Sequence, residues 1–403
     1  VYKKINPIVK STALHGLFKL LNNQKFILGV WILLALLVAI KQAFQPTNNN
    51  YLIFKYVYFH AVERLPLYIP YPNEHLDTNH YGPLFSLLIA PFALLPNYIG
   101  MLLWQLANTL FLYFAIKQLP IGIRKVNAIY WIVAHELLTA MFGLQFNISI
   151  AAIIIFAYVL IDKNKNFWAA FVIIFGFYIK LYGIVGLAFF FFAKQKPKFI
   201  LYCIFWAILL FILPMLFFSP SYILQCYQDW YVSLSEKQAL NASLTSMQDI
   251  SVMGMARRIT GDASISNLPF LVIGLTLFII PYLRFKMYKI PDFRLLFLAS
   301  ALIFTVIFSN SSESPTYIIA FVGVAIWFVL QEKPINPYSI ALFIFALLLT
   351  SLSPSDLFPK YIREAYIKPY SLKALPCILI WIVVTYQLMF KKFILNPVKT
   401  DGE

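Results

Sequence analysis

Between positions 68 and 83 the sequence runs Tyr-Ile-Pro-Tyr-Pro-Asn-Glu-His-Leu-Asp-Thr-Asn-His-Tyr-Gly-Pro and collects two carboxylates, Glu74 and Asp77, with two imidazoles, His75 and His80. Prolines at 66, 70, 72 and 83 forbid a regular helix here, so these groups are expected on an extended loop. A carboxylate so held can take the proton of a hydroxyl as that hydroxyl attacks an electrophile. Asp77, backed by the polar groups of Thr78, Asn79 and His80, is the first choice for that base and Glu74 the second; a solvated or capping carboxylate is the plain alternative. The same two acids leave a divalent metal open as a cofactor, and nothing else in the sequence points to one.

Other polar residues stand where they are costly. A Lys at mid-bilayer costs roughly 2.5–3.5 kcal/mol, so Lys180, between two apolar runs, either does chemistry, such as holding a phosphate, or snorkels from a helix end. Glu136, beside His135 in an apolar run, is expected to pair with Lys180 or to bind sugar hydroxyls. Gln145 and Asn147 suit sugar or phosphate ligands, or a cap on the following helix. Arg257 and Arg258 end an amphipathic stretch, 247–259, and offer two guanidinium groups to a lipid phosphate; nonspecific head-group binding is equally consistent. Glu313 suits a sugar-binding acid or, more simply, a helix N-terminus. Asn241-Ala-Ser243 fits a glycosylation pattern too short to carry weight.

The elements that must position these groups are membrane helices. Of 403 residues 61% are hydrophobic and only 12% charged, with mean hydropathy +0.77, whereas soluble domains carry about 25% charged residues. A water-soluble enzyme and a disordered chain are excluded. Apolar runs cover 26–44, 83–116 (interrupted at Pro96 and Asn97), 126–142, 148–161, 167–179, 182–193, 199–218, 268–283, 295–308, 317–330, 338–352 and 372–390. The expected fold is an all-α polytopic bundle of about 11–13 segments. It divides into a membrane module, 1–218, with a catalytic outer loop at 45–82, an outer loop with an amphipathic helix at 219–267, and C-terminal membrane helices at 268–403. In 51–64, Tyr51, Phe54, Tyr58 and Val62 recur at helical spacing, as in an interfacial helix. The cysteines, Cys203, Cys226 and Cys377, have no metal or redox spacing. The basic, polar N-terminal stretch lacks a cleavage signal, so the first apolar run is expected to be retained.

The net charge of +16 would suggest nucleic acid in a soluble chain. Here Lys and Arg concentrate in alternate loops, around 3–25, 117–125, 163–165, 194–198, 284–294 and 391–399, which marks those loops and both termini as cytoplasmic. The outer stretches are balanced, and no nucleic acid is implied. This map makes 83–116 one crossing with a broken piece and 167–193 a short pair reversing near Lys180; the competing map crosses twice in the first region and once in the second.

The sequence Tyr81-Gly-Pro-Leu-Phe-Ser-Leu-Leu-Ile-Ala-Pro-Phe-Ala-Leu-Leu-Pro96, followed by Leu103-Trp104 and Asn108, resembles an element of glycosyltransferase family 87, the polyprenol-phosphate-mannose-dependent mannosyltransferases of the GT-C superfamily. Gly143-Leu-Gln145-Phe-Asn147 is similar to its Gly-Gln-x-Asn turn, and Ile179-Lys180-Leu181 to the Lys near its membrane hairpin. The resemblance spans roughly 45–200. It implies a polyprenyl-phosphate-linked sugar donor, a long first outer loop carrying the catalytic acid, and an active site on the outer face of the plasma (inner) membrane. One departure matters: many members place an Asp at the start of that loop, where this chain has Asn48, Asn49, Asn50 and Tyr51. An amide cannot serve as a general base, which returns the choice to Asp77, with Glu74 in reserve.

The leading function is therefore an inverting transferase moving a hexose, mannose by resemblance, from a polyprenyl phosphate to an extracytoplasmic lipid or glycan acceptor among membrane lipids. The alternative, a lipid or sugar transporter or flippase, calls for matching broken segments in two halves with charges at the midplane. A glycan polymerase or ligase calls for more outer arginines than Arg64, Arg257, Arg258 and Arg363. No Walker loop, dinucleotide fingerprint, His-Glu-x-x-His run or Asp-x-Asp pair is present.

Overall fold

The computed structural model describes residues 15–44 and 49–393; Asn48, Lys3, Lys4, Lys10 and Lys399 lie outside them. Among the described residues every regular element is a helix. In hydrocarbon a backbone must satisfy its own polar groups, and a helix does so within one segment. Gln24–Ala43, Asn97–Lys117, Lys196–Leu216 and Leu372–Phe390 are long and apolar enough to cross a membrane, and shorter apolar helices accompany them. Most buried apolar side chains from Ile27 to Leu388 form one continuous core, and Ala61, Leu67 and Cys226 form a small separate cluster. The protein is an all-α polytopic membrane bundle.

Both ambiguous regions resolve. Phe85–Ala93 has nine residues, about 13 Å of helix against a hydrocarbon core of about 30 Å, so it cannot cross alone. Asn97–Lys117, with Pro96 at its N-cap, is long and apolar enough to cross. Residues 166–192 double back instead. Asn166–Ile179 stops at Lys180, whose backbone is extended, and the 3-10 helix Leu181–Phe192 returns beside it. Gly183 lies against the backbone of Gly176, and Gly186 against Ile173. These pairings progress in opposite directions along the two arms, which makes an antiparallel hairpin with Lys180 at its tip. A Cβ on Gly183 would collide with Gly176, so the close approach demands glycine.

Several loop contacts join residues expected on the same face. Asp162 pairs with Arg294 at 2.8 Å and Glu332 with Lys391 at 2.9 Å, all residues expected on the inner face. His60 pairs with Glu74, and Asn241 donates to the Asn310 carbonyl, all expected on the outer one. Two helices differ from expectation in detail. Asn49–Glu63 buries Tyr51, Phe54, Val57 and Ala61 while Val62 is exposed, so its apolar stripe is rotated toward helix Phe85–Ala93. The amphipathic segment is shorter, Val252–Thr260, capped by Ser251 and ended by Gly261 at φ 72°.

Glu136 does not pair with Lys180. It is fully buried on Ile123–Phe142, and its Oε1 accepts from Lys373 Nζ at 2.8 Å. Lys373 also donates to the Ser314 carbonyl at 3.0 Å and hydroxyl at 2.9 Å. The partner lies 237 positions away in the chain, beyond the reach of any local pattern. Removing one member of such a pair strands a buried charge, at about 3–5 kcal/mol. Glu136→Ala and Lys373→Met are each expected to lower stability by that order in detergent unfolding, with the double variant Glu136→Met/Lys373→Met recovering most of it; single variants as stable as the parent would contradict the pairing.

Candidate active site

Residues 64–84 are fixed by contacts at several points. Glu74 and His75 both donate backbone N–H groups to the Tyr71 carbonyl. Glu74 Oε2 lies 2.8 Å from His60 Nε2, inside a cluster with Tyr56, Tyr71 and His75. His75 Nδ1 donates to the Asp77 carbonyl at 2.6 Å, and Leu76 N–H donates to Asn49 Oδ1 at 2.6 Å. Asn79 closes a local turn by accepting from Tyr81 N–H at 3.0 Å.

One face of helix Pro220–Asn241 then grips residues 77–80. Trp230 Nε1 donates to the His80 carbonyl at 2.9 Å, Ser233 Oγ lies 2.9 Å from His80 Nδ1, and Lys237 Nζ lies 4.0 Å from Asp77 Oδ2. The three residues are spaced three and four apart, so they share one helical stripe. Asp77 Oδ1 accepts from Thr78 N–H at 2.8 Å, leaving its other oxygen facing Lys237. The carboxylate is half-exposed and lines an open cavity.

The tip of the Lys180 hairpin is joined to the same loop. Gly82 N–H donates to the Ile179 carbonyl at 3.1 Å, and a Cβ at Gly82 would strike the Tyr178 carbonyl oxygen and the Trp230 ring. Lys180 Nζ donates to Asn147 Oδ1 at 2.7 Å, Asn147 Nδ2 to Gln145 Oε1 at 2.6 Å, and Gln145 Nε2 to Glu313 Oε2 at 2.7 Å. A cation at one end and a carboxylate at the other fix the orientation of both amides. Lys180 also lies over the Tyr182 ring, 4.9 Å from its centroid.

Asp77, His80, Gln145, Lys180 and Glu313 line one open cavity of about 330 Å³, with Lys237, Tyr182 and Asn50. Asn147 stands behind its wall, holding Lys180 and Gln145. Glu313 serves in both expected ways, since it forms a capping box with Thr316 and also faces the cavity. Other expected residues lie elsewhere. Glu74 is engaged by His60, and among the described residues no three His, Cys, Asp or Glu side chains come together as a metal site. Arg257 is buried against Asp249 at 3.0 Å, and Arg258 lines a different cavity. Asn241 is buried and hydrogen-bonded to Asn310 and Ser311, a structural amide. Lys237 was missed from sequence; the stripe Trp230, Ser233, Lys237 was its signal.

The motif 81–108 builds the cavity wall. Tyr81 stacks on Phe85, and its hydroxyl accepts from Phe146 N–H. Trp104 Nε1 donates to the Leu144 carbonyl at 2.8 Å, and Asn108 accepts from Ser149 Oγ at 2.6 Å. These bonds hold the 144–149 turn, and with it Gln145 and Asn147, against the loop. A family model described as Glycosyltransferase family 87 matches residues 79–309. The chain belongs to that family. No curated protein matches it. As a family 87 glycosyltransferase it is a membrane-embedded enzyme, and the matched span takes in His80, Gln145, Lys180 and Lys237, with Asp77 just before it and Glu313 just after.

Burial, reinforced by Lys237 and Lys180 and opposed by Asp77, pushes the His80 imidazole down to about 4 from its ordinary 6.5. His80 is thus neutral at pH 7, a hydrogen-bonding group and not a cation. Between those values the unfolded chain binds a proton that the folded glycosyltransferase does not, so this group makes stability rise with pH across that window, by up to about 1.4 kcal/mol per pH unit. His80→Gln is expected to flatten the pH dependence of unfolding between pH 4 and 6.5; identical slopes in parent and variant would show that His80 titrates normally.

Proposed function

We propose that this glycosyltransferase moves a hexose, mannose on the family resemblance, from a polyprenyl-phosphate donor to a hydroxyl of an extracytoplasmic lipid or glycan acceptor, with inversion at the anomeric carbon. The observation that carries the reading is the convergence of one half-exposed carboxylate, Asp77, and two ammonium groups, Lys180 and Lys237, on a single cavity of about 330 Å³, within the range of about 300–1,000 Å³ usual for ligand pockets.

The chemistry asks for that set. As the acceptor oxygen attacks the anomeric carbon, its proton passes to the Asp77 carboxylate. The bond from that carbon to the phosphate oxygen breaks, and its electron pair leaves with the polyprenyl phosphate. Lys180 and Lys237 stabilise the negative charge that develops there. Gln145, Glu313 and neutral His80 offer hydrogen bonds to sugar hydroxyls. Asn50 lines the same cavity as Asp77, so a base at 77 serves the space that a base near the start of the loop would serve in other members. The excess of Lys and Arg on the opposite loops supports a cytoplasmic N-terminus and C-terminus, and an outward cavity.

Asp77→Asn is expected to reduce sugar transfer from a polyprenyl-phosphate hexose by at least about 100-fold, the scale of general-base catalysis, with unchanged thermal unfolding. Full activity in that variant would remove Asp77 as the base. Lys180→Met and Lys237→Met are expected to raise the donor KM more than the acceptor KM; donor kinetics matching the parent in both would remove the phosphate role.

A further inference from the structure

A second cavity, also of about 330 Å³, lies beside the first. Residues 247–250 and 309–314 divide them: Gln248 and Glu313 line the first, and Met247, Ile250 and Ser314 line the second. The two differ in charge. The first sets Lys180 and Lys237 against Asp77 and Glu313. The second is lined by Arg258, Arg363, Lys368 and Lys373 with Glu364 as its only acid.

Internal pairing does not cancel that excess. Glu364 is shared by Arg363 at 3.0 Å and Lys368 at 2.8 Å, Arg363 also lies 3.8 Å from the exposed Asp356, and Glu136 answers Lys373, which leaves Arg258 as the cation in excess. Asp249, the acid nearest Arg258, gives its carboxylate to Arg257 and Ser251. Arg258 is only 9% exposed and donates to two backbone carbonyls, those of Leu244 and Asp249. Its Nη2 has no hydrogen-bond partner among the described residues. A buried guanidinium with a free donor is costly unless an anion completes it.

The surroundings say what kind of anion. Leu357, Tyr361, Ile362, Tyr366 and Tyr370 are exposed on the segment that carries Arg363 and Lys368. Tyrosines set among aliphatic side chains favour the boundary between hydrocarbon and water. Met247, Ile250, Pro354 and Ile367 give the cavity an apolar lining, which suits the glycerol or prenyl portion next to a head group.

We propose that this second cavity seats the phosphate of an anionic amphiphile from the membrane, at a site separate from the one where Asp77 acts. Arg258 supplies the buried contact, and Arg363 and Lys368 the outer ones. The site does not depend on the sugar or acceptor used in the first cavity.

The test is a competition binding measurement on the purified full-length protein, by native mass spectrometry, with phosphatidylglycerol, phosphatidylcholine, polyprenyl monophosphate and inorganic phosphate as probes. The parent is expected to retain one anionic amphiphile about tenfold better than phosphatidylcholine, the worth of one charge-assisted hydrogen bond. Arg258→Gln is expected to abolish that preference and Lys368→Glu, at a half-exposed side chain, to reduce it, with thermal unfolding measured in both variants to confirm that they fold. Retention of polyprenyl monophosphate above phosphatidylglycerol that Arg258→Gln abolishes would identify the site with the spent carrier; the reverse order, equally sensitive to Arg258→Gln, would identify it with a phospholipid. Equal retention of phosphatidylcholine, binding of inorganic phosphate alone, or an unchanged preference in Lys368→Glu would each overturn the proposal.

Discussion

The reversal of the chain at Lys180 is the constraint on which the cavity depends. A turn among apolar helices must satisfy its own backbone polar groups or pay several kcal/mol for each. Here Lys180 N–H bonds to the Gly176 carbonyl, Gly183 N–H to the Lys180 carbonyl, and the Ile179 carbonyl accepts from Gly82. The last bond ties the hairpin to the loop that carries Asp77, and it forms only because residue 82 has no Cβ to strike Tyr178. The same turn aims the Lys180 ammonium at Asn147 and so starts the chain of amides that ends at Glu313. One reversal therefore places a cation, orients two amides and anchors a carboxylate loop.

Much of the architecture was legible in the sequence because the bilayer imposes length and apolarity on each crossing. The helix break before Asn97, the hairpin at Lys180 and the family element from Tyr81 were all visible as local patterns. The loop with Asp77 and His80 was legible too, since four prolines and clustered acids leave few other conformations. What was hidden depends on pairing between distant elements. Glu136 carries no mark that its partner is Lys373, and Lys180 was the nearer-looking cation. The stripe of Trp230, Ser233 and Lys237 was in plain view at helical spacing, but only the packed structure shows that it faces residues 77–80. In Asn49–Glu63 the aromatic residues were too numerous for their spacing to select the buried face.

Charge is distributed in three ways with three consequences. Among the loops with excess Lys and Arg, Arg294 pairs with Asp162 and Lys391 with Glu332. The first cavity balances Asp77 and Glu313 against Lys180 and Lys237, which suits the proposed transfer from a phosphate ester to a hydroxyl. The second keeps a surplus of cations around a buried arginine. The residues 309–314 touch both cavities, so the short segment between helices Pro291–Ile307 and Tyr317–Val329 is the physical link between them.

Asp77, Lys180 and Lys237 are proposed to act on one donor in one cavity. A structure of the full-length protein with a non-transferable phosphonate analogue of a polyprenyl-phosphate hexose tests it most directly. The phosphonate is expected within hydrogen-bonding reach of Lys180 and Lys237, with the sugar turned toward Asp77. A phosphonate seated away from both lysines, with Asp77 facing only solvent, would contradict it.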